Sequence, residues 1–406
     1  MRGAGRGQGR TRLNFQRPRQ VGLTIIFGLG LGLLLVELLL RVVPAVLPPE
    51  IQPQVAQKLW LLTHVGLPQF VAEYRRLWEM DSYLGSRMRP GLDTIIHGNP
   101  EYPAWPIKTD ALGLGPAGFR DTLPDRRPYA LVLGDSFGFG VGVAQDEVWL
   151  EVLERETGRP FLNLSQVGAS SLQEARIYDR YGRAFPVKVV FWMFFQNDLK
   201  ENLRFAQWLD PAANIPQAEA NAGQLCRGPV YRALKRFSIA YELVIYWRRW
   251  CEYAAIPPTP TYQNEVLSLT FCLDHDICDL QVQARMLFAG WPLTRAALAQ
   301  TQALVEQNGA ELIIIIVPSK EQVYRDRFQQ VALLPADYNI DQLVQPLLDD
   351  CAQVQLHCID LTESFRDQAR QGQQLYFPVD IHWNAAGHRL VAQVVKRYLS
   401  ETGRLP

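Results

Sequence analysis

Tyr129-Ala-Leu-Val-Leu-Gly134-Asp135-Ser136-Phe137-Gly138-Phe-Gly140 is the stretch on which the reading of this chain turns. Its first half, Ala130 to Leu133, is an apolar run of strand length. Its second half breaks into Gly, Asp and Ser, and Gly138, Gly140 and Gly142 follow. An apolar strand that runs into such a turn presents a side chain at its carboxyl end, where α/β proteins bind ligands. Ser136 on that turn has its hydroxyl toward the crevice and its backbone N–H unspent. Such a serine is a nucleophile when a base reaches it. Without a base, the segment is only a glycine-rich strand end.

A base stands far downstream, in Pro378-Val-Asp380-Ile-His382-Trp383-Asn384. Asp380 and His382 are two positions apart, so on an extended segment both face one way. Asp380 then orients the imidazole and His382 takes the proton of Ser136. Two more apolar runs lead into Asn163-Leu-Ser-Gln-Val-Gly168 and Phe195-Gln-Asn197-Asp198. The N–H groups of Ser136 and Gly168 and the amide of Asn197 are the donor types an oxyanion hole needs.

Taken together, these residues resemble the SGNH (GDSL-type) hydrolase superfamily, in a membrane-anchored bacterial form. Gly134-Asp135-Ser136 matches its first block, Gly168 its second, Asn197-Asp198 its third and Asp380-Ile381-His382 its fifth. The resemblance runs from about Tyr129 to the C-terminus, with an insertion. The third block usually reads Gly-x-Asn-Asp, and here Phe195 stands where the glycine is usual, which bears on the aim of the Asn197 amide. The resemblance implies a flavodoxin-like fold, a triad of Ser136, His382 and Asp380, and an oxyanion hole of Ser136, Gly168 and Asn197, with no metal and no cofactor. Asp198, Trp383 and Lys320 are candidate substrate contacts. Ser319-Lys320 resembles a Pro-Ser-Lys segment of polysaccharide O-acetylation relatives, and the competing reading of Ser319 is a helix N-cap. His388, in the closing helix, reads as structural.

The chain has 406 residues, 48% hydrophobic and 20% charged, with 41 basic and 41 acidic side chains. A neutral balance points away from a nucleic-acid partner. Residues 1–20 carry six arginines and no acid, a basic cytoplasmic tail. An apolar run from Val21 follows, and residues 21–43 are expected to be a single transmembrane helix. Arginines ahead of it and only Arg41 close behind put the rest of the chain outside the cytoplasmic (inner) membrane, facing the periplasm or cell exterior. Cleavage near Val43-Pro44-Ala45 is the competing reading, but the apolar run exceeds a signal peptide's core. Residues 44–128 read as a Pro- and Gly-rich, strand-poor pre-domain. Its Gly118-Phe119-Arg120-Asp121 lead-in, similar to one in anchored relatives, reads as edge packing rather than as a crevice loop.

From Tyr129 the sequence alternates. Strands are expected at 130–133, 161–164, 187–194, 312–317 and 356–361. Helices are expected at 147–157, 171–185, 293–308, 340–354 and 385–400. Alternation of this kind makes a parallel sheet with helices on both faces, an α/β protein of three α/β/α layers and five strands. Residues 129–406 are thus the hydrolase-like domain, interrupted by an aromatic, Cys-containing insertion at 203–292.

All six cysteines, Cys226, Cys251, Cys272, Cys278, Cys351 and Cys358, lie on the expected outer side. An even number in an oxidising compartment favours disulfides. Close spacing suggests Cys272–Cys278 and Cys351–Cys358, leaving Cys226–Cys251. A zinc site on Cys272, His275 and Cys278 lacks a convincing fourth ligand and the usual spacing. Three functions fit the sequence. The first is a serine ester hydrolase acting on O-acyl groups, acetyl foremost, of an envelope or extracellular glycan or lipid. The second is a polysaccharide O-acyltransferase with the same triad. The third is a non-catalytic binding or assembly protein on the same fold, working with envelope polysaccharide-assembly proteins. The intact Ser, His and Asp argue against the last.

Overall fold

The computed structural model describes residues 31–32, 35, 77–96, 101, 104–111, 118–120, 127–210, 260–273, 278–332, 334, 338–353 and 356–405. Residues Trp60–Cys226 and Pro257–Pro406 form one compact unit. Five strands make its sheet: β1 (Ala130–Leu133), β2 (Phe161–Asn163), β3 (Val189–Phe194), β4 (Glu311–Ile316) and β5 (His357–Asp360). Their order is β5-β4-β3-β1-β2, and every pairing is parallel. Ala130 stands opposite Val189 on one side and Phe161 on the other. The chain therefore reverses its direction of travel across the sheet between β1 and β3, the position at which open α/β sheets form their crevice.

Residue parity along each strand sorts the core into two layers. Ala130, Val132, Phe191, Met193, Ile313 and Ile315 face one side. Leu131, Leu133, Val190, Trp192, Ile314 and Ile316 face the other. Both sets are buried, which is why β1, β3 and β4 read as unbroken apolar runs rather than as alternating ones. Each such side chain contributes about 1.5–3 kcal/mol by leaving water.

Seven helices frame the argument: α1 (Ser136–Phe139), α2 (Trp149–Thr157), α3 (Ser171–Arg180), α4 (Asp198–Leu209), α5 (Trp291–Gln307), α6 (Gln345–Gln353) and α7 (Ala385–Glu401). Apolar residues of α2 and α7 cover the first face of the sheet, and those of α3, α4, α5 and α6 the second. The start of α3 is set by a capping box, with Ser170 accepting from Gln173 N and the Gln173 side chain reaching back. In α7 the Asn384 side chain accepts from Ala386 N and Gly387 N. Gly387 is needed there, because a Cβ would lie 2.4 Å from Leu375 O.

The strand and helix expectations for the α/β unit hold within a few residues, and two segments differ. Residues Asp198–Leu209 are a continuous helix, so the helix crosses the expected start of the insertion at 203. Its inward face, with Leu199, Leu203 and Phe205 buried, gives it the periodicity of the core layer. The segment expected to be strand-poor holds three antiparallel hairpins: Trp78–Asp81 with Gly85–Met88, Asp93–Ile96 with Trp105–Lys108, and Asp110–Ala111 with Gly118–Phe119. Pro106 sits within one of these strands, which are two-stranded and have free edges. Disulfides join Cys272 to Cys278 and Cys351 to Cys358. Cys226, Cys251 and His275 lie outside the described residues, as does nearly all of the expected anchor. Among the described residues, no helix is long and apolar enough to cross a membrane.

Candidate active site

Ser136 is the first residue of α1, directly after β1 and the Gly134-Asp135 turn. Asp135 caps this helix, its Oδ1 accepting from Phe137 N at 2.9 Å. Gly138 allows α1 to lie against the loop after β2, since a Cβ there would fall 2.2 Å from Ser165 Oγ. Asn163 Nδ2 donates to Gly138 O at 2.9 Å, and Ser165 N donates to Asn163 Oδ1 at 3.0 Å. Behind α1 lies Arg120, wholly buried against the rings of Trp105 and Phe139. Its guanidinium donates to Phe139 O, Gly140 O, Val143 O and Pro106 O. The expected edge packing of the Gly-Phe-Arg lead-in is thus a brace on the nucleophile's own loop. Burial lowers the Arg120 pKa to about 10, and Glu151 pulls it back up.

The base comes from a short loop closed by Phe377 N donating to His382 O at 3.0 Å, with Tyr376 bridging to Trp383. Asp380 Oδ1 accepts from His382 N at 2.9 Å, which folds the carboxylate under the imidazole. His382 Nδ1 is 2.5 Å from that same oxygen. On the other side of the ring, His382 Nε2 lies 2.8 Å from Ser136 Oγ. With Nδ1–H donated to the carboxylate, Nε2 is the acceptor for the serine proton. The imidazole also packs on Phe137, ring centroids 5.1 Å apart, which sets its tilt.

Gly168 follows β2 in a left-handed conformation, φ +73°, and Asn197 follows β3. Neither the N–H of Ser136 nor that of Gly168 has a hydrogen-bond partner among the described residues. Asn197 Nδ2 donates one hydrogen to Asp135 Oδ2 at 3.2 Å and keeps its second. Phe195, in the place usual for glycine, is buried on Phe137 with centroids 4.6 Å apart. That stacking lets the loop carry a large residue and still bring the amide to Asp135. An open groove of about 410 Å³ runs between the two loops, lined by Gly142 and Val143 on one side and by Phe377, Asn384 and Arg389 on the other.

Three of the candidate substrate contacts lie elsewhere. Trp383 is 0% exposed, packed on Phe137 and Phe365, so its ring anchors the base loop to the core. Asp198 is buried at the start of α4, with its side chain inside the fold near Ser171, Glu174 and Asp135. Burial, and then the repulsion of neighbouring carboxylates, pushes both Asp198 and Glu174 well above the ordinary carboxylate range. Burial raises the Asp135 pKa as well, while the Phe137 N–H, the charge of His382 and the Asn197 amide lower it. Lys320 is 2% exposed and grips backbone carbonyls instead of facing the groove. Ser319 is an N-cap, its Oγ accepting from Gln322 N at 3.2 Å. His388 is buried with Nδ1 accepting from Trp149 N at 3.4 Å, and burial lowers its pKa to about 3. The sulfurs of Cys272 and Cys278 are spent on their disulfide, which leaves Glu321 beside them without thiolates to share a metal.

Residues 279–406 match the family described as "SGNH hydrolase-like domain, acetyltransferase AlgX". The match is less than half of the chain and takes in Lys320, Asp380 and His382 but not Ser136. No curated protein matches the chain in sequence. Several solved structures are similar. A lipolytic protein of the G-D-S-L family from Desulfitobacterium hafniense is 9% identical, covers 66% of this chain and 98% of its own, and gives a TM-score of 0.35. An acetyl xylan esterase is 9% identical over 66% of this chain and 99% of its own, with a TM-score of 0.34. A family 2 carbohydrate esterase from Corynascus thermopiles is 11% identical over 70% and 69%, with a TM-score of 0.35. At such TM-scores the likenesses carry no functional conclusion.

Proposed function

We propose that this chain is an SGNH-type serine esterase that cleaves O-acyl esters, acetyl foremost, of an envelope or extracellular glycan or lipid. The observation that carries this reading is the 2.8 Å approach of His382 Nε2 to Ser136 Oγ, with Asp380 on the far nitrogen at 2.5 Å. Ser136 Oγ bonds to the ester carbonyl carbon as its proton passes to His382 Nε2. The oxygen that becomes negative is held by the N–H groups of Ser136 and Gly168 and the free hydrogen of Asn197 Nδ2, each worth about 3 kcal/mol to the transition state. The bond from carbon to the leaving oxygen breaks as Nε2 returns its proton to that oxygen. Water then attacks the acyl-serine as His382 takes one of its protons, and the acyl–Oγ bond breaks as Nε2 returns that proton to Ser136 Oγ and the acid leaves.

The matched family's description as an acetyltransferase favours a second reading, in which a sugar hydroxyl replaces water in the last step. We further propose that residues 21–43 anchor the chain with its α/β unit on the outer side of the membrane, the compartment in which its two disulfides form and persist. Ser136→Ala and His382→Ala should each lower turnover of an activated acetyl ester by roughly 10⁴-fold or more while circular dichroism stays that of the parent. Asn197→Ala should cost about 10²-fold, because two backbone donors remain. A glycan acceptor that gains the acetyl mass identifies transfer, and free acetate identifies hydrolysis. Wild-type turnover in Ser136→Ala sinks both readings.

A further inference from the structure

Lys320 opens the first turn of a short helix, Lys320–Val323, just after β4. A cation there opposes the helix dipole, so local helix stability does not account for it. Its stem runs inward and its ammonium meets Phe377 O at 2.7 Å, Pro378 O at 3.1 Å, Val379 O at 3.2 Å and Thr270 O at 3.3 Å. Three of those carbonyls are consecutive in the loop that carries Asp380 and His382. From the opposite direction, Glu101 accepts from Val379 N at 2.5 Å and Asp380 N at 2.6 Å. The loop's carbonyls are thus gathered by a buried cation and its amides by a carboxylate from the segment ahead of the α/β unit. Thr270 N also donates to Pro378 O at 2.7 Å, which ties the strand Ser268–Thr270, two residues ahead of Cys272, to the same place.

We propose that Lys320 and Glu101 form a charged bracket that positions the Asp380–His382 loop against Ser136, so that Lys320 is a positioning residue. This rests on the esterase reading for its effect on turnover, though not for its effect on the loop. An ammonium has three hydrogens to share among four carbonyls. A neutral amine has two and turns its lone pair toward a carbonyl. Burial lowers the Lys320 pKa to about 8, and Glu321, Asp380 and Glu101, the charged groups that face it, pull it back up. Burial and the charge of Asp380 raise the Glu101 pKa, while the two N–H groups and Lys320 lower it.

The test uses the full chain with Lys320→Met, Lys320→Arg and Glu101→Gln. Two readouts are needed: turnover of an activated acetyl ester against pH, and amide hydrogen exchange of the peptide over 376–383. Lys320→Met should lower kcat by about 10²-fold with KM changed less than threefold, as expected of a misplaced base with an intact groove. Its loop amides should exchange at least about tenfold faster, with those of β4 unchanged. Lys320→Arg, which keeps the cation on a planar fork, should lose less kcat than Lys320→Met and leave loop exchange closer to that of the parent. Glu101→Gln, which keeps the size of the side chain, should give a smaller loss and faster exchange at Val379 and Asp380, and it serves if Lys320→Met does not fold. Parental kcat and parental loop exchange in Lys320→Met overturn the bracket. Loop exchange that depends on Lys320 in a protein with no ester turnover at all overturns the esterase reading instead and leaves the bracket standing.

Discussion

Two loops meet at the candidate site, and each is held from behind by one buried cation. The nucleophile's loop, from Gly134 to Val143, is braced by Arg120, and the base's loop, from Phe377 to His382, by Lys320. Both cations donate to several backbone carbonyls, yet they are not equivalent. Arg120 is a flat fork stacked against two rings, and even lowered to about 10 its pKa keeps it charged throughout the physiological range. Lys320 is a point charge with a pKa near 8. The loop of Ser136 is therefore held by a group that stays charged, whereas the loop of His382 is held by one that titrates. The difference also follows the origin of each brace. Arg120 comes from a hairpin ahead of the α/β unit, and Lys320 from the carboxyl end of a central strand.

The contrast breaks most severely at Arg120. Arg120→Ala removes the donor to four carbonyls and the stacking of two rings, and should cost about 3–5 kcal/mol of stability. A urea midpoint that moves by less than the equivalent of about 1 kcal/mol would show that the nucleophile's loop supports itself. The next effect is smaller and has a definite sign. Because burial depresses the Lys320 pKa from 10.5 to about 8, the unfolded chain binds the extra proton between those values. The Lys320 contribution to stability is then complete above pH 10.5 and is lost as pH falls through about 8, by an amount on the order of 3 kcal/mol. Urea unfolding of the parent and of Lys320→Met across that window should differ in slope, the parent rising more steeply with pH. Parallel slopes would mean that Lys320 titrates normally. The smallest effect sharpens the comparison. Replacing Cys272 and Cys278 together by serine should cost no more than about 2 kcal/mol for so short a ring. It should speed exchange in 377–382 but not in 134–143, because Cys272 N donates to Glu321 at 2.8 Å beside Lys320. Equal loosening of both loops would deny the two braces their independence.

How much of this was legible in the sequence depended on distance along the chain. The five strands were readable because β1, β3 and β4 are buried on both faces, and apolar runs bounded by Gly or Asn need no partner to be recognised. Ser136, Asp380 and His382 were readable because their chemistry is stated by residue type and local spacing. Glu101 was not, since a single acid in His97-Gly-Asn-Pro-Glu101 carries no period and acts 278 positions away on Val379. Lys320 reads as a substrate contact because a lysine after a strand normally reaches solvent, whereas the carbonyls of a distant loop turn it inward. Trp383 was misplaced for the same reason. Its neighbours in sequence are catalytic candidates, but its neighbours in space, Phe137 and Phe365, are core. Phe195 shows the opposite case, in which a departure from a family pattern is absorbed by stacking on Phe137.

The 246 positions between Ser136 and His382 also set an order on the ribosome. The chain emerges from its N-terminus at roughly 5–20 residues per second, so Ser136 is synthesised long before its partner exists. A nascent chain that stops anywhere short of His382 contains the hydroxyl and its oxyanion donors but nothing to take the proton. α7, which docks on α2 and secures the base loop through Gly387, comes later still. On the proposed esterase reading, the chain therefore has no base beside Ser136 until synthesis has passed His382.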